Sequence, residues 1–490
     1  MNFNSAEFLI FYPIVLLLHY LLPIRIRWIM LLAVSYYFYM TWNPSLIFLI
    51  LFTTAVSWVC SIVIEKTQKK ATKRLCLTVT LIICLGVLFF FKYYNFLASS
   101  VSWIMTLFGA ANTDFTLNLI LPVGISFYTF QTLSYVIDVY RGDIQVEHHF
   151  GYYALFVSFF PQLVAGPIER PDNLLPQLHE KQHWSNENAV IGLKRMLVGY
   201  FKKVVVADLL AVYVNAVYNN AEDSSAVSVI LASVMFAVQI YCDFSGYTDV
   251  AIGCARVMGI RLMQNFDLPY TARSIKEFWN RWHISLSTWF RDYLYFPLGG
   301  SRCSKAKHMR NLMIVFLVSG LWHGAAWTFV LWGFLHGAYQ VVGILTKNSR
   351  EKLCEKLNIN RESAGYHAWQ RICTFALVTF AWIFFRANSM SDLGILMSKL
   401  VTGWNVPLTD VFSGMGLTLR GAMISALSVL ILVILDRMVV HDEKPQADGT
   451  YLSSLAVNRG KALIITWAIA VAWLALLAGD GASSFIYFQF

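Results

Sequence analysis

Two histidines stand in surroundings where an imidazole is costly unless it works. His323 lies in Ser319-Gly320-Leu321-Trp322-His323-Gly324, deep in an apolar stretch. An ionisable side chain inside an apolar segment points to function. A buried histidine bonded to a backbone carbonyl fits the same position, and position alone leaves both readings open. His283 lies in Phe278-Trp279-Asn280-Arg281-Trp282-His283-Ile284-Ser285, a mixture of aromatic and polar residues unsuited to a lipid-facing helix. It reads as a re-entrant or interfacial element lining a polar cavity. Imidazole titrates near pH 6.5, so it can take a proton from an attacking hydroxyl and return it to a leaving group. That chemistry is acyl transfer. Nearby Arg273, Lys276, Arg281 and Arg291 would attract an anionic donor, or simply form a basic cytoplasmic face.

Other ionisable residues call for less. Of the eleven histidines, His148, His149, His179, His183, His308, His367 and His441 fall in polar segments. His19 and His336 sit in apolar runs where a hydrogen-bonded structural role fits. Asp243 and Asp249, in Tyr241-Cys242-Asp243-Phe244-Ser245-Gly246-Tyr247-Thr248-Asp249, leave proton relay and structural bonding open, with structure favoured. Asp138 with Arg141, and Glu169 with Arg170, read as structural ion pairs. The eight cysteines form no CxxC pair, so neither a disulfide nor a metal site is expected. GxSxG, Walker, GxGxxG and HExxH patterns are absent.

The elements that must hold these groups are membrane helices. The 490 residues are 57% hydrophobic and only 13% charged, too few to cover a soluble protein of this length. Aromatic residues make up 16%, and Trp and Tyr favour bilayer interfaces. The net charge of +10 fits basic cytoplasmic loops better than nucleic-acid binding. Candidate spans are 6–22, 27–42, 45–64, 75–91, 97–110, 117–139, 152–165, 190–218, 227–260, 312–345, 373–385, 417–435 and 462–477. Some must be broken, giving about 11–13 membrane elements in an all-α, polytopic protein. The first run lacks a signal peptide's basic start and cleavage site and is expected to remain as a span. Polar loops are expected at 167–176 and 443–458. No repeat or linker divides the chain, so a single membrane domain is expected over 1–490. Within it, 1–110 holds N-terminal spans, 117–345 the catalytic core, and 373–490 the C-terminal spans and outer-facing tail.

Basic loops orient the chain. Arg25 and Arg27 follow the first span, and Lys66, Lys69, Lys70, Lys73 and Arg74 follow the third. With these inside, the N-terminus lies outside. Arg459 and Lys461 before the last span put the C-terminus outside too. Lys305, Lys307 and Arg310 flank one end of the His323 run and Lys347, Arg350 and Lys352 the other. Two cytoplasmic flanks require an even number of crossings. One helix of about 35 residues would be roughly 50 Å long, too long for a single crossing. A break is therefore predicted at Gly320 and Gly324, on either side of His323.

Long, unusual motifs also carry a resemblance. Residues 239–302, QIYCDFSGYTDVAIGCARVMGIRLMQNFDLPYTARSIKEFWNRWHISLSTWFRDYLYFPLGGSR, and then LVSGLWHGAAWTFVLWGFLHG, resemble the membrane-bound O-acyltransferase family. Upstream, ISFYTFQTLSYVIDVYRG and FVSFFPQLVAGPIERP extend it. Within the family the chain looks most like the alginate O-acetyltransferase branch, whose members acetylate exported glycans such as alginate and peptidoglycan. The resemblance implies a ring of helices around a thin centre, with a tunnel joining a cytoplasmic donor site to an outer acceptor site. It implies His323 as principal catalytic residue and His283 as the second family histidine. It implies acetyl-CoA as donor substrate with no bound cofactor and no metal, an exported polysaccharide as acceptor, an outer acetyltransferase- or esterase-fold partner, and residence in the bacterial inner membrane. The ending Phe485-Ile486-Tyr487-Phe488-Gln489-Phe490 reads as an aromatic interfacial anchor. It also resembles the C-terminal peptide of the small partner in teichoic-acid D-alanylation, which would make Tyr487 an acyl relay assisted by a base such as His323. Transfer of D-alanine to teichoic acid, and non-enzymatic transport of a glycan or lipid, are the alternatives.

Overall fold

The computed structural model describes residues 1–109, 114–164 and 166–442, with side chains to residue 437. Among these, all regular structure is helical. Six helices are long and apolar enough to cross a membrane: Pro44–Lys66, Lys70–Leu107, Ala226–Val257, Trp327–Leu345, Ala364–Arg386 and Leu419–Arg437. Their outward side chains are apolar: Phe48, Ile82, Phe380 and Leu430 are all exposed. Such a surface is stable against hydrocarbon and not against water. The chain is a multi-pass membrane protein. The expected span at 462–477, the loop at 443–458 and Tyr487 lie outside the described residues.

The chain forms two compact units. The first comprises Met1–Leu193 and Ala251–Met263. It contains α1 (Ala6–Leu21), α2 (Ile24–Met40), α3 (Ile47–Lys66), α4 (Lys70–Leu88), α5 (Tyr94–Leu107), α6 (Ile125–Arg141), α7 (Phe150–Ser158), α8 (Phe160–Leu163) and α9 (Pro171–His179). The separate spans expected at 75–91 and 97–110 are one continuous rod, because a π-turn at Phe89–Tyr93 joins α4 to α5. The span expected from residue 117 becomes helical only at Ile125, after Gly124 takes a left-handed conformation. A Cβ on Gly124 would lie 2.6 Å from the Leu163 carbonyl, so glycine is required there. The loop expected at 167–176 is half helix, because Pro171 suits the first turn of α9.

Hydroxyls inside the apolar helices bond back to their own backbone: Thr53, Ser57 and Ser61 each donate to the carbonyl four residues earlier. The chain's return at Ala251–Met263 is held by α1. Tyr12 Oη donates to the Cys254 carbonyl (2.9 Å), Tyr20 Oη to Val257 (2.7 Å) and His19 Nε2 to Met258 (3.0 Å). The Val257 and Met258 carbonyls lie at the end of this helix, where helical partners run out, while the Cys254 carbonyl also accepts from Met258 N (3.3 Å). His19 is thus structural.

The second unit runs over Lys194–Val250 and from Gln264 onward. It takes in the C-terminal part of α10 (Asn186–Tyr200), α11 (Asp208–Tyr218), most of α12 (Ala226–Val257), the short helices α13 (Ile275–Arg281) and α14 (Ile284–Phe290), α15 (Lys305–His323), α16 (Trp327–Leu345), α17 (Lys347–Lys356), α18 (Ala364–Arg386), α19 (Met390–Thr402), α20 (Leu408–Gly414) and α21 (Leu419–Asp442). The run expected as one span at 190–218 is interrupted by a π-helical segment, Phe201–Ala207. A third π segment, Arg291–Tyr295, follows α14.

The predicted break at His323 is present. α15 ends on His323 and α16 begins at Trp327, with Gly324 extended between them. Gly324 has no room for a Cβ, which would meet the Phe329 ring at 2.2 Å. Gly320 stays helical and serves packing instead. A Cβ there would lie 2.3 Å from the Phe329 carbonyl, and one on Gly333 equally close to the Phe316 carbonyl. Small residues on both helices let the two backbones touch.

Candidate active site

His323, on the last turn of α15, is 3% exposed. Aromatic rings enclose it: Trp332 of α16 at 4.9 Å between centroids, Trp322 at 5.0 Å and Phe385 of α18 at 5.5 Å. The ring of His283 lies 6.4 Å away. The structure therefore brings together the two histidines singled out in the sequence, from segments forty residues apart.

His283 joins α13 to α14 and is fully buried. Its backbone is left-handed, with φ 44° and ψ 55°, a conformation that side chains with a Cβ seldom adopt. Such strain persists only where surroundings enforce it. Here Asn265 does so. Its backbone carbonyl accepts from Ile284 N (2.9 Å), and its Oδ1 accepts from Ser285 N (3.3 Å) and Ser285 Oγ (2.9 Å). Because a backbone N–H can only donate, that side-chain atom is the amide oxygen. His283 Nδ1, 3.1 Å from it, must then carry the proton. The neutral ring is left with its lone pair on Nε2, the tautomer a general base needs. Ahead of His283, Ser274 caps α13 by accepting from Glu277 N (3.1 Å). Glu277 Oε2 reaches back to Arg273 N (2.8 Å), so a Ser-x-x-Glu motif starts this helix. Asn265 escaped sequence reading; the polar pair Gln264-Asn265 just beyond a long apolar run was the available signal.

The basic neighbours are largely neutralised. Arg281 pairs with Glu277 at 2.9 Å and lies 3.9 Å from Asp267, Arg273 lies 3.8 Å from Glu277, and Arg291 pairs with Asp292 at 2.8 Å. The attraction for an anion expected from these side chains is correspondingly weak.

Asp243 and Asp249 belong to a buried ion network. Lys202 Nζ lies 2.7 Å from Asp249 and 2.6 Å from Asp436 of α21. Arg195 reaches Asp249 at 3.0 Å. Lys203 pairs with Asp243 at 2.5 Å and with Asp208 at 3.0 Å. Tyr241 Oη donates to Asp436. These aspartates join helices, as favoured from sequence. Their cationic partners Arg195, Lys202 and Lys203 are not singled out in the sequence, where nothing local ties them to aspartates forty or more residues away. Among the described residues no three His, Cys, Asp or Glu side chains cluster as metal ligands.

Residues 144–387, which contain both histidines, match the family model described as "MBOAT, membrane-bound O-acyltransferase family". A probable alginate O-acetylase AlgI of Pseudomonas putida is 34% identical, with each chain covered in full. A peptidoglycan O-acetyltransferase of Helicobacter pylori is 36% identical over 74% of this chain and 71% of its own. A teichoic acid D-alanyltransferase of Bacillus subtilis is 29% identical over 45% of this chain and 58% of its own. With a buried histidine pair at a helix break and relatives of this kind over its whole length, the chain belongs to the membrane-bound O-acyltransferase family and is an O-acyltransferase.

Proposed function

We propose that the protein moves an acetyl group from cytoplasmic acetyl-CoA to an exported polysaccharide such as alginate, with His323 as general base and His283 as its companion. The observation that carries this reading is the pair of buried imidazoles 6.4 Å apart at the α15–α16 break. The acceptor hydroxyl oxygen attacks the thioester carbonyl carbon while its proton passes to His323. The C–S bond then breaks, and the proton leaves with the thiol. Acetyl transfer is favoured over D-alanyl transfer because the O-acetylating relatives match more of the chain at higher identity.

The hairpin geometry supports a meeting point within the bilayer. Lys305, Lys307 and Arg310 begin α15, and Lys347 follows α16, so both helices open on one basic face. By the positive-inside rule that face is cytoplasmic, in the inner membrane, with the N- and C-termini outside. His323 is thirteen residues beyond Arg310, roughly 20 Å along the helix, well into a hydrocarbon core about 30 Å thick. Tyr487 is the proposed relay to an outer acetyltransferase- or esterase-fold partner. Membranes incubated with radiolabelled acetyl-CoA should pass label to the glycan or to the protein. His323→Ala should lower that by at least about a hundredfold. Equal labelling by wild type and variant would overturn the assignment.

A further inference from the structure

A third histidine lies in the same cluster without a part in the reaction just described. His336 sits on α16, fully buried, one turn beyond Trp332. Its ring is 4.9 Å from Trp332, which is itself 4.9 Å from His323. The indole of Trp279 approaches it, with Nε1 3.2 Å from His336 Nδ1. An indole N–H only donates, so His336 Nδ1 accepts and the proton of the neutral ring resides on Nε2. That Nε2–H finds no acceptor among the described residues. Nor does the Nε1–H of Trp332, which is equally buried. Buried donors are nearly always satisfied, because leaving one without an acceptor forfeits its hydration. Here two such donors stand on one face of one helix, at positions i and i+4, beside the proposed base. Both offer hydrogens and neither offers a lone pair. The ligand that satisfies them must present acceptor oxygen in an apolar setting, and a carbonyl does so.

We infer that His336 and Trp332 form a carbonyl-binding pair that holds the acyl donor by its carbonyl oxygen next to His323, with Trp279 fixing the His336 tautomer. The inference rests on the acetyl-CoA reading above. Donors placed where negative charge gathers on a carbonyl oxygen during attack are the form of stabilisation expected in acyl transfer. Trp279 contacts no reacting group in this scheme and is a positioning residue.

Two unreactive acetyl-CoA analogues test it on the purified full-length protein in lipid nanodiscs. One is the ketone in which a methylene replaces the sulfur and the carbonyl remains. The other is the S-ethyl thioether, which has no carbonyl. Wild type should bind the ketone roughly tenfold more tightly than the thioether. In His336→Leu and in Trp332→Phe that preference should shrink towards one, while His336→Gln, which keeps an N–H donor, should retain part of it. A merely structural role would weaken both analogues alike and leave their ratio intact. An unchanged ratio in both variants, or no preference in wild type, overturns the carbonyl-binding pair. If His336→Leu does not fold, Trp332→Phe decides the matter. If neither analogue binds wild type, the donor assignment itself fails, and this inference with it.

Discussion

Catalytic competence turns on where single protons sit. Asn265 Oδ1 is fixed as an acceptor by Ser285 N–H, which sets the proton on His283 Nδ1. Asn265→Leu should therefore lower turnover by about tenfold or more while the KM for the donor changes little, because the orientation of His283, companion to the base, is lost rather than binding. Initial rates across donor concentrations check this; an unchanged kcat would show that His283 needs no such anchor. The histidines themselves were legible in the sequence, since an imidazole in an apolar or aromatic run conflicts with its surroundings. The polar pair at 264–265 could mark the position of Asn265 but not its role, which lies in reaching a residue eighteen positions away. The left-handed backbone of His283 was not legible, for no residue type there announces it. Glycine would have been the signal, and the chain uses histidine.

Hydropathy foretold most helices, and the basic flanks foretold the hairpin of α15 and α16. Gly324 marks the break as expected, whereas Gly320 proved to be a contact surface, a distinction that composition cannot make. The backbones of α15 and α16 meet at Gly320 and Gly333 with no space for a methyl group. Gly333→Ala should force them apart and cost about 1–3 kcal/mol, read as a lower unfolding temperature in detergent. His323 hangs from the end of α15 against Trp332 of α16, so activity should fall more steeply than stability. Retention of full activity would show that the site tolerates a looser hairpin. Joining of α4 and α5 into one rod was not legible either, since a π-turn changes the hydrogen bonding and leaves hydropathy untouched.

At the scale of the whole molecule, charge is buried where helices distant in sequence must be tied together. Asp436 of α21 meets Lys202, more than two hundred residues earlier, and accepts from Tyr241. Asp436→Asn should cost about 3 kcal/mol, because removing one partner leaves a buried cation under-compensated. Adding Lys202→Met to Asp436→Asn should cost less than the sum of the two single changes. Thermal unfolding of the four proteins measures this coupling, and strict additivity would deny it. In the first unit, Glu169 is buried and accepts from Met263 N and from Asn173 Nδ2. Burial drives its pKa up from 4.5 to about 7, against the pull of those two bonds. The native carboxyl thus keeps its proton where the unfolded one has lost it. Stability should fall as pH rises from about 4.5 to about 7 and change no further from this group above that, a loss on the order of 3 kcal/mol. Glu169→Gln should flatten that slope; an unaltered pH profile would mean the carboxyl is ionised throughout.

The π-helical stretch at Phe201–Ala207 has a consequence for how the gene can vary. Asp208 N bonds to the Lys203 carbonyl, five residues back, so the chain carries more residues here than an α-helix of the same height. Those extra residues let adjacent lysines serve separate acidic pairs, Lys202 toward Asp249 and Asp436 and Lys203 toward Asp243 and Asp208. Deleting one codon here would let the turn close into ordinary α-helix, and the two lysines would lose the placement that serves both acidic pairs. Point changes at Val204 or Val205 are a far milder insult. Length, more than composition, is what natural variation must preserve across this turn.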